Sequence, residues 1–259
     1  KGEEIKISEI PLNDFETFKL FQKGDCVGVF QFESSGMRRY LKDLKPTEFD
    51  DVVAMVALYR PGPLEAGMVP RYIARKHGEE SVEYLHPRLE PILKGTYGIG
   101  IYQEQMMKIA RDLAGFTLSE ADTLRKAIGK KIKELLDAQK EKLIQGMISN
   151  GIEEKSANEI WELFPSFARY GFNKSHSVCY ALIGYQTAYL KARYPMEFMT
   201  ALFNNDSGDV ERVAFLITEA KKMGIAVLPP EINSSFTKFT PEEKNIRFGL
   251  LAIKNVGAN

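Results

Sequence analysis

The sequence predicts a mainly α protein: a multi-helix domain with a short strand element near its N-terminus and a small α/β tail. Three observations carry this reading. Apolar residues recur at helical spacing through most of the stretch from Asp50 to Arg193. Capping and stop signals punctuate that stretch. Strand-like runs are confined to the alternation at Val27–Phe32 (VGVFQF) and to two short segments beyond Asn205.

Taken in order, the alternation at Val27–Phe32 predicts a strand with Val27, Val29 and Gln31 on one face. Ser34 or Ser35 then caps a helix through Leu44, striped by Met37, Tyr40, Leu41 and Leu44. Asp50–Tyr59 is the next helix. Pro61 disfavours α geometry at Arg60, so the helix stops there and Gly62-Pro63 makes a stiff turn. Ile101–Leu113 is helical through Met106, Ile109, Ala110 and Leu113. Thr117 with Glu120 forms a capping box that opens a helix burying Ala121, Leu124 and Ile128. Ile132–Ser149 follows and ends at Asn150-Gly151. Ile160, Leu163, Phe164 and Phe167 form another stripe, and a helix over Ser177–Arg193 stops before Pro195. Beyond Asn205 come an amphipathic helix, Val210–Met223, and strands at Ile225–Leu228 and Ile246–Leu250.

Composition narrows the function classes. Apolar residues are 44% and charged residues 27%, which supports a packed core rather than disorder. The formal net charge is zero, which counts against a domain that coats duplex DNA and leaves phosphate contacts to local clusters. Cys26 and Cys179 stand apart from other ligands, so neither a zinc site nor a disulfide framework is expected, and a reducing cytoplasm fits. No secretory leader is read at Lys1-Gly2-Glu3-Glu4. The uncharged run Ser177–Leu190 is too polar for a membrane span, which needs about 20 mostly apolar residues, and reads as a buried helix. His77 and His86 read as surface residues.

Four segments could carry chemistry. Between Arg125 and Lys133 five cations fall within nine residues, with Gly129 loosening the helix beside Lys130. This stretch reads either as a solvated basic face or as a grip for phosphate oxygens. The segment Ala168–Ser177 alternates aromatics with cations and amides ahead of a helix that Ser175 or Ser177 would cap. Tyr170 and Phe172 could stack on a base, Lys174 and His176 could reach phosphate, and Asn173 could read a sugar or base edge. The same segment also reads as a capped turn with core aromatics. It is not a P-loop, because Asn173 and Ala168 stand where that motif needs glycine. Tyr102-Gln103-Glu104-Gln105 is either a polar shelf or the wet face of a helix. Gly249–Gly257 resembles the first half of a helix-hairpin-helix, whose backbone N–H groups hold DNA phosphate. No carboxylate pair stands where two-metal nucleotidyl transfer needs one. Glu3-Glu4, Asp50-Asp51, Glu79-Glu80 and Glu242-Glu243 all sit in polar or helical surroundings.

Together, GVFQFES (Gly28–Ser34), LYRPGPL (Leu58–Leu64), YGIGIYQEQMM (Tyr97–Met107), LRKAIGKK (Leu124–Lys131), YGFNKSHSVCYALIGYQTAYLKARYP (Tyr170–Pro195) and GLLAIKNVG (Gly249–Gly257) resemble, in order, the alpha subunit of bacterial DNA polymerase III, the C-family replicative polymerases. The resemblance implies a connection from the palm over residues 1–23, fingers over 24–204, and the start of a helix-hairpin-helix and clamp-binding region over 205–259. It implies that Arg125 and Lys126, with Lys130 nearby, face the triphosphate of an incoming dNTP. Asn173, Lys174 and His176 would line its pocket, bordered by Arg60 near the primer end and by Glu104, Tyr170 and Phe172. Lys254 and Gly257 would meet the DNA backbone. It further implies DNA primer-template, sliding clamp and other replisome subunits as partners. The palm, with its aspartates and Mg2+, would lie upstream of position 1, leaving this piece inactive alone. At Pro165-Ser166 the sequence departs from the acidic-basic pair usual in the family. Two rival readings stay open: a non-catalytic DNA-binding module built on the terminal hairpin motif, and a helical interaction scaffold.

Overall fold

The computed structural model describes residues 5–130 and 133–257, apart from the side chains of 130, 133–135, 166 and 168. The chain is mainly α. Its helices are α1 (Phe15–Lys23), α2 (Ser35–Leu44), α3 (Phe49–Leu58), α4 (Pro61–Glu65), α5 (Met68–Lys76), α6 (Glu90–Leu93) and α7 (Gln103–Ala114). They continue as α8 (Leu118–Lys130), α9 (Lys133–Ser149), α10 (Glu154–Trp161), α11 (Phe164–Tyr170), α12 (Lys174–Arg193), α13 (Pro195–Asn205) and α14 (Val210–Lys222). Three short strands follow: β1 (Val227–Leu228), β2 (Thr240–Glu242) and β3 (Asn245–Arg247). Contacts divide the chain into two compact units, Pro46–Leu182 and the residues on either side of it, with the division falling inside α12.

Within the Pro46–Leu182 unit, α7, α8 and α9 pack on one another, and α10 and α11 join them. Met106, Ile109, Leu113, Leu124, Leu143, Ile160 and Phe164 form their shared core. Apolar burial of this kind is what holds amphipathic helices together. Trp161 stacks on Phe164 with ring centroids 5.4 Å apart. Thr117 and Glu120 form the expected capping box: Glu120 accepts from the Thr117 N–H at 2.8 Å, and the Glu120 N–H donates back to Thr117 Oγ1 at 3.3 Å. Gly146 lets α9 press on α7, since a Cβ there would stand 2.3 Å from the Ala114 carbonyl oxygen. Asp51 is buried at the start of α3, where it accepts from the Thr47 N–H at 2.9 Å and from Lys76 Nζ at 2.7 Å. His77 is exposed, whereas His86 is half-buried and accepts the Arg88 N–H at 3.2 Å.

In the other unit Val27, Met199, Phe203, Leu216, Phe239 and Ile246 share a core. Asn204 clamps Phe239, accepting its N–H at 2.8 Å and donating to its carbonyl at 3.0 Å. Lys191, 2% exposed, donates to the Asp25 and Val27 carbonyls at 2.8 Å each. Arg193 pairs with Asp14, whose N–H donates to the Tyr185 hydroxyl at 2.8 Å.

Several expectations need correction. Val27–Phe32 is not a strand but consecutive turns, closed by Val29 N–H on the Cys26 carbonyl at 3.0 Å and Phe32 N–H on the Val29 carbonyl at 3.1 Å. Gly28 at φ +77° and Gln31 at φ +65° are left-handed and break any extended run. Val27, Val29 and Phe32 are nonetheless buried, so the apolar alternation was a signal of burial rather than of a strand. Pro61-Gly62-Pro63 is not a bare turn: Pro61 occupies the first turn of α4, where its missing N–H costs nothing. Helix α12 begins at Lys174 and is capped by Asn173, not by Ser175 or Ser177. The His176 N–H donates to Asn173 Oδ1 at 2.8 Å, while the buried Ser177 hydroxyl donates to the Val53 carbonyl at 2.6 Å. In the tail the sheet order is β1-β3-β2, parallel then antiparallel. Strand β2 carries Pro241 and is an edge, the place in a sheet that tolerates proline. Pro165 sits in the first turn of α11. Among the described residues no helix is long and apolar enough to cross a membrane.

Candidate functional site

Two helices of the Pro46–Leu182 unit start side by side. Tyr102 and Phe172, the residues just ahead of α7 and α12, form a parallel β-bridge. It is closed by Gln103 N–H on the Phe172 carbonyl and Phe172 N–H on the Ile101 carbonyl, each at 2.9 Å. Two helix N-termini therefore lie together, each with N–H groups that no turn of its own helix can satisfy. Glu104 supplies part of that need: its two carboxylate oxygens both lie 3.0 Å from the Lys174 N–H. A carboxylate at this place is favoured by both helix dipoles.

Gln105 does a different task. Its Oε1 accepts from the Ile101 and Tyr102 N–H groups at 2.9 Å each, and its Nε2 donates to Thr96 Oγ1 at 2.7 Å and to the Ile92 carbonyl at 3.3 Å. Tyr102 and Gln105 are buried, so half of the Tyr102–Gln105 segment is neither shelf nor wet face. Burial also pushes the Tyr102 hydroxyl pKa up.

A ladder of rings runs along the start of α12. The Arg60 guanidinium lies 4.4 Å from the Phe172 ring centroid. Phe172 meets His176 edge-on at 5.4 Å, and His176 stacks on Tyr180 at 4.2 Å. Arg60 also donates from Nε to the Ala57 carbonyl at 2.6 Å and from Nη2 to the Tyr170 carbonyl at 2.7 Å. Its burial lowers the guanidinium pKa. Lys174 Nζ lies 5.3 Å over the Tyr102 ring. Asn173, Lys174, Ser175 and His176 are exposed.

A cavity of about 310 Å³ opens beside this group, with Asp50, Thr96, Tyr102, Glu104, Lys108 and Lys174 in its wall. Sequence reasoning missed Asp50 and Lys108 as lining residues. The available signal for Lys108 was its place four residues after Glu104, on the same face of α7.

The basic stretch on α8 is built differently. Arg125 donates to Asp122 Oδ1 from Nε and Nη2 at 2.9 and 2.8 Å, and Lys126 Nζ stands 2.7 Å from Asp122 Oδ2. These bonds, Lys126 first, lower the Asp122 pKa. Helix α8 passes through Gly129 to Lys130, whose side chain lies outside the description, and Lys131 and Ile132 lie outside the described residues. The link between the two basic stretches is α11, which packs on α8 and ends at Tyr170, directly before Gly171.

Direct contacts thus gather Arg60, Glu104, Tyr170, Phe172, Asn173, Lys174 and His176, while Arg125 and Lys126 lie on the helix that supports α11. Lys254 and Gly257 belong to the other unit, where both are exposed, Lys254 in the turn beyond Leu250–Ala252 and Gly257 just past it. Asn255 there adopts φ +68°. Among the described residues, no group of three or more His, Cys, Asp or Glu could hold a metal ion. The described residues do not fit a Mg2+ site.

Comparison with known proteins adds the family. Residues 1–151 match the family described as bacterial DNA polymerase III alpha subunit finger domain, and residues 224–259 match a helix-hairpin-helix motif. The chain is 53% identical over 257 residues to DNA polymerase III subunit alpha of Aquifex aeolicus, covering 99% of this chain and 22% of that protein. It is 48% identical over 261 residues to the Bacillus subtilis subunit, covering 100% and 23%. For Thermus aquaticus the identity is 47% over 262 residues, covering 99% and 21%. The chain spans about a fifth of the length of these relatives. With the family matched over more than half of its length and such relatives along the whole of it, the chain belongs to the bacterial DNA polymerase III alpha subunit finger domain family.

Proposed function

We propose that this chain is the fingers part of a cytoplasmic, replicative DNA-directed DNA polymerase, and that it binds the triphosphate of the incoming dNTP beside the nascent base pair. The observation that carries the proposal is the seating of Asn173, Lys174 and His176 at the exposed start of α12, next to the N-terminus of α7. Glu104 and Asn173 already answer the Lys174 and His176 amides, so the donors left for phosphate are the exposed lysine and histidine side chains, with the positive ends of both helix dipoles behind them. In this reading Arg125 and Lys126, with Lys130, grip the phosphates by exchanging Asp122 for phosphate oxygens. Arg60, Glu104, Tyr170 and Phe172 border the pocket. Neutralising the triphosphate and aligning its α-phosphate for the primer hydroxyl is the positional and electrostatic part of phosphoryl transfer.

Residues 1–23 would connect to a palm, 24–204 would form the fingers, and 205–259 would begin a helix-hairpin-helix and clamp-binding region. In that region Lys254 and Gly257 would meet the DNA backbone. A palm elsewhere in the polymerase would hold Mg2+, so this chain alone is expected to be inactive. The sliding clamp and other replisome subunits would bind through the complete protein.

The test is Arg125→Ala in the complete polymerase, where kcat/KM for dNTP should fall by an amount equivalent to about 2–4 kcal/mol of transition-state stabilisation. Unchanged incorporation kinetics would remove Arg125 from the site. A photoreactive nucleotide triphosphate should label 125–131 and 173–176; labelling elsewhere favours the scaffold reading. The helix-hairpin-helix match at 224–259 supports a second reading, a DNA-binding module. That reading requires tight, salt-sensitive DNA binding by this chain alone.

A further inference from the structure

We propose that Arg60 is a positioning residue that holds the segment Tyr170–Phe172, and through it the start of α12, instead of meeting nucleic acid itself. Three observations converge. The Arg60 fork bridges the last turn of α3 to the end of α11, from the Ala57 carbonyl at 2.6 Å to the Tyr170 carbonyl at 2.7 Å. Its planar face covers Phe172 at 4.4 Å. The loop that carries it is shaped to the same segment: a Cβ on Gly62 would come within 3.0 and 3.1 Å of the Tyr170 ring. A guanidinium can make both bonds and stack at once, whereas an ammonium lacks the fork and the plane.

Pro61 fixes the backbone next to Arg60, and α4 packs on α11, so the clamp has a rigid base. From Phe172 the ring contacts continue to His176. The Phe172 amide is held by the Ile101 carbonyl, and the amides of Lys174 and His176 by Glu104 and Asn173. Releasing Arg60 would free one side of this strap and let those amides open.

The functional half of the inference rests on reading the start of α12 as the nucleotide site. The test uses the complete polymerase and the variants Arg60→Ala, Arg60→Lys and Gly62→Ala, with hydrogen exchange over 171–176 and KM values for dNTP and primer-template. Arg60→Ala and Arg60→Lys should both speed exchange at Phe172, Lys174 and His176 by about 10-fold or more. Both should raise the dNTP KM about 10-fold while the primer-template KM stays within about two-fold, since small misplacements cost orders of magnitude. Gly62→Ala, which changes no charge, should give the same pattern more weakly. Wild-type behaviour of Arg60→Lys, unchanged exchange in Arg60→Ala, or a shift confined to the primer-template KM would overturn the proposal. Faster exchange with an unchanged dNTP KM would leave the clamp standing and refute the nucleotide reading of α12.

Discussion

The two basic stretches of the Pro46–Leu182 unit differ in what holds them. At the start of α12 the backbone is fastened on all sides, by the Tyr102–Phe172 bridge, the Glu104 carboxylate, the Asn173 cap and the Arg60 fork. On α8 the described cations Arg125 and Lys126 are both fastened to one side chain, Asp122, on a partly exposed face. The first arrangement fixes the backbone at the start of α12, and with it the place of the exposed Lys174 and His176 side chains. The second leaves long side chains that can exchange one anion for another. Fixed donors set geometry at low reorganisation cost, and exchangeable ones supply charge at the moment it is needed.

This contrast can be broken at several points. The largest expected effect is on the support of the fastened region. Asp51→Ala would strand Lys76, which is buried against it, and leave the Thr47 N–H without its acceptor. Chemical denaturation should show a loss of about 3–5 kcal/mol. A loss near zero would mean that the region does not depend on this pair. Next, Asn173→Ala removes the α12 cap and should cost about 1 kcal/mol in the same measurement, with faster exchange at His176.

Smaller effects should follow on α8. Asp122→Asn frees Arg125 and Lys126 from their carboxylate, so in the complete polymerase the dNTP KM should fall a few-fold at low salt and less at high salt. A rise instead would show that Asp122 holds the cations in place for the ligand. The smallest perturbation uses the two thiols. Cys179, exposed one turn beyond His176, should alkylate readily, and dNTP should slow it if nucleotide settles on the start of α12. Cys26 should stay inert, because burial pushes its thiol up from 9.0 to about 12. The folded chain binds that proton more tightly than the unfolded chain does. The resulting stabilisation is complete below pH 9.0 and is lost as pH climbs towards about 12, which alkaline unfolding of Cys26→Ala against the parent would reveal.

The helical stripes were legible because burial of one face imposes a period. Leu124 and Ile128, or Ile160 and Phe164, go inward as the spacing requires. The box at Thr117 and Glu120 was legible because it is local. What was not legible depended on partners far along the chain. Ser177 is an ordinary N-cap residue type, yet its hydroxyl is claimed by Val53 of α3, and Asn173 takes the cap. Nothing near Arg60 announces that Tyr170 and Phe172 will meet it. The run VGVFQF has the period of a strand, but the space at Gly28 decides otherwise: a Cβ there would stand 2.3 Å from Leu202 Cδ1. The candidate residues around α12 were individually visible as types, whereas their joint fastening was a property of the fold.

Glu104 and Gln105 have nearly the same shape, and their order along α7 is not interchangeable. Glu104 turns both oxygens to a donor, the Lys174 N–H, so a group with two acceptors serves it. Gln105 faces donors on one side and acceptors on the other, which only an amide can answer with one oxygen and one nitrogen. A carboxylate at 105 would keep the contacts to Ile101 and Tyr102, yet turn a lone pair toward the Ile92 carbonyl. One atom, nitrogen in place of oxygen, is therefore enough to set the sense in which Glu-Gln must be written here.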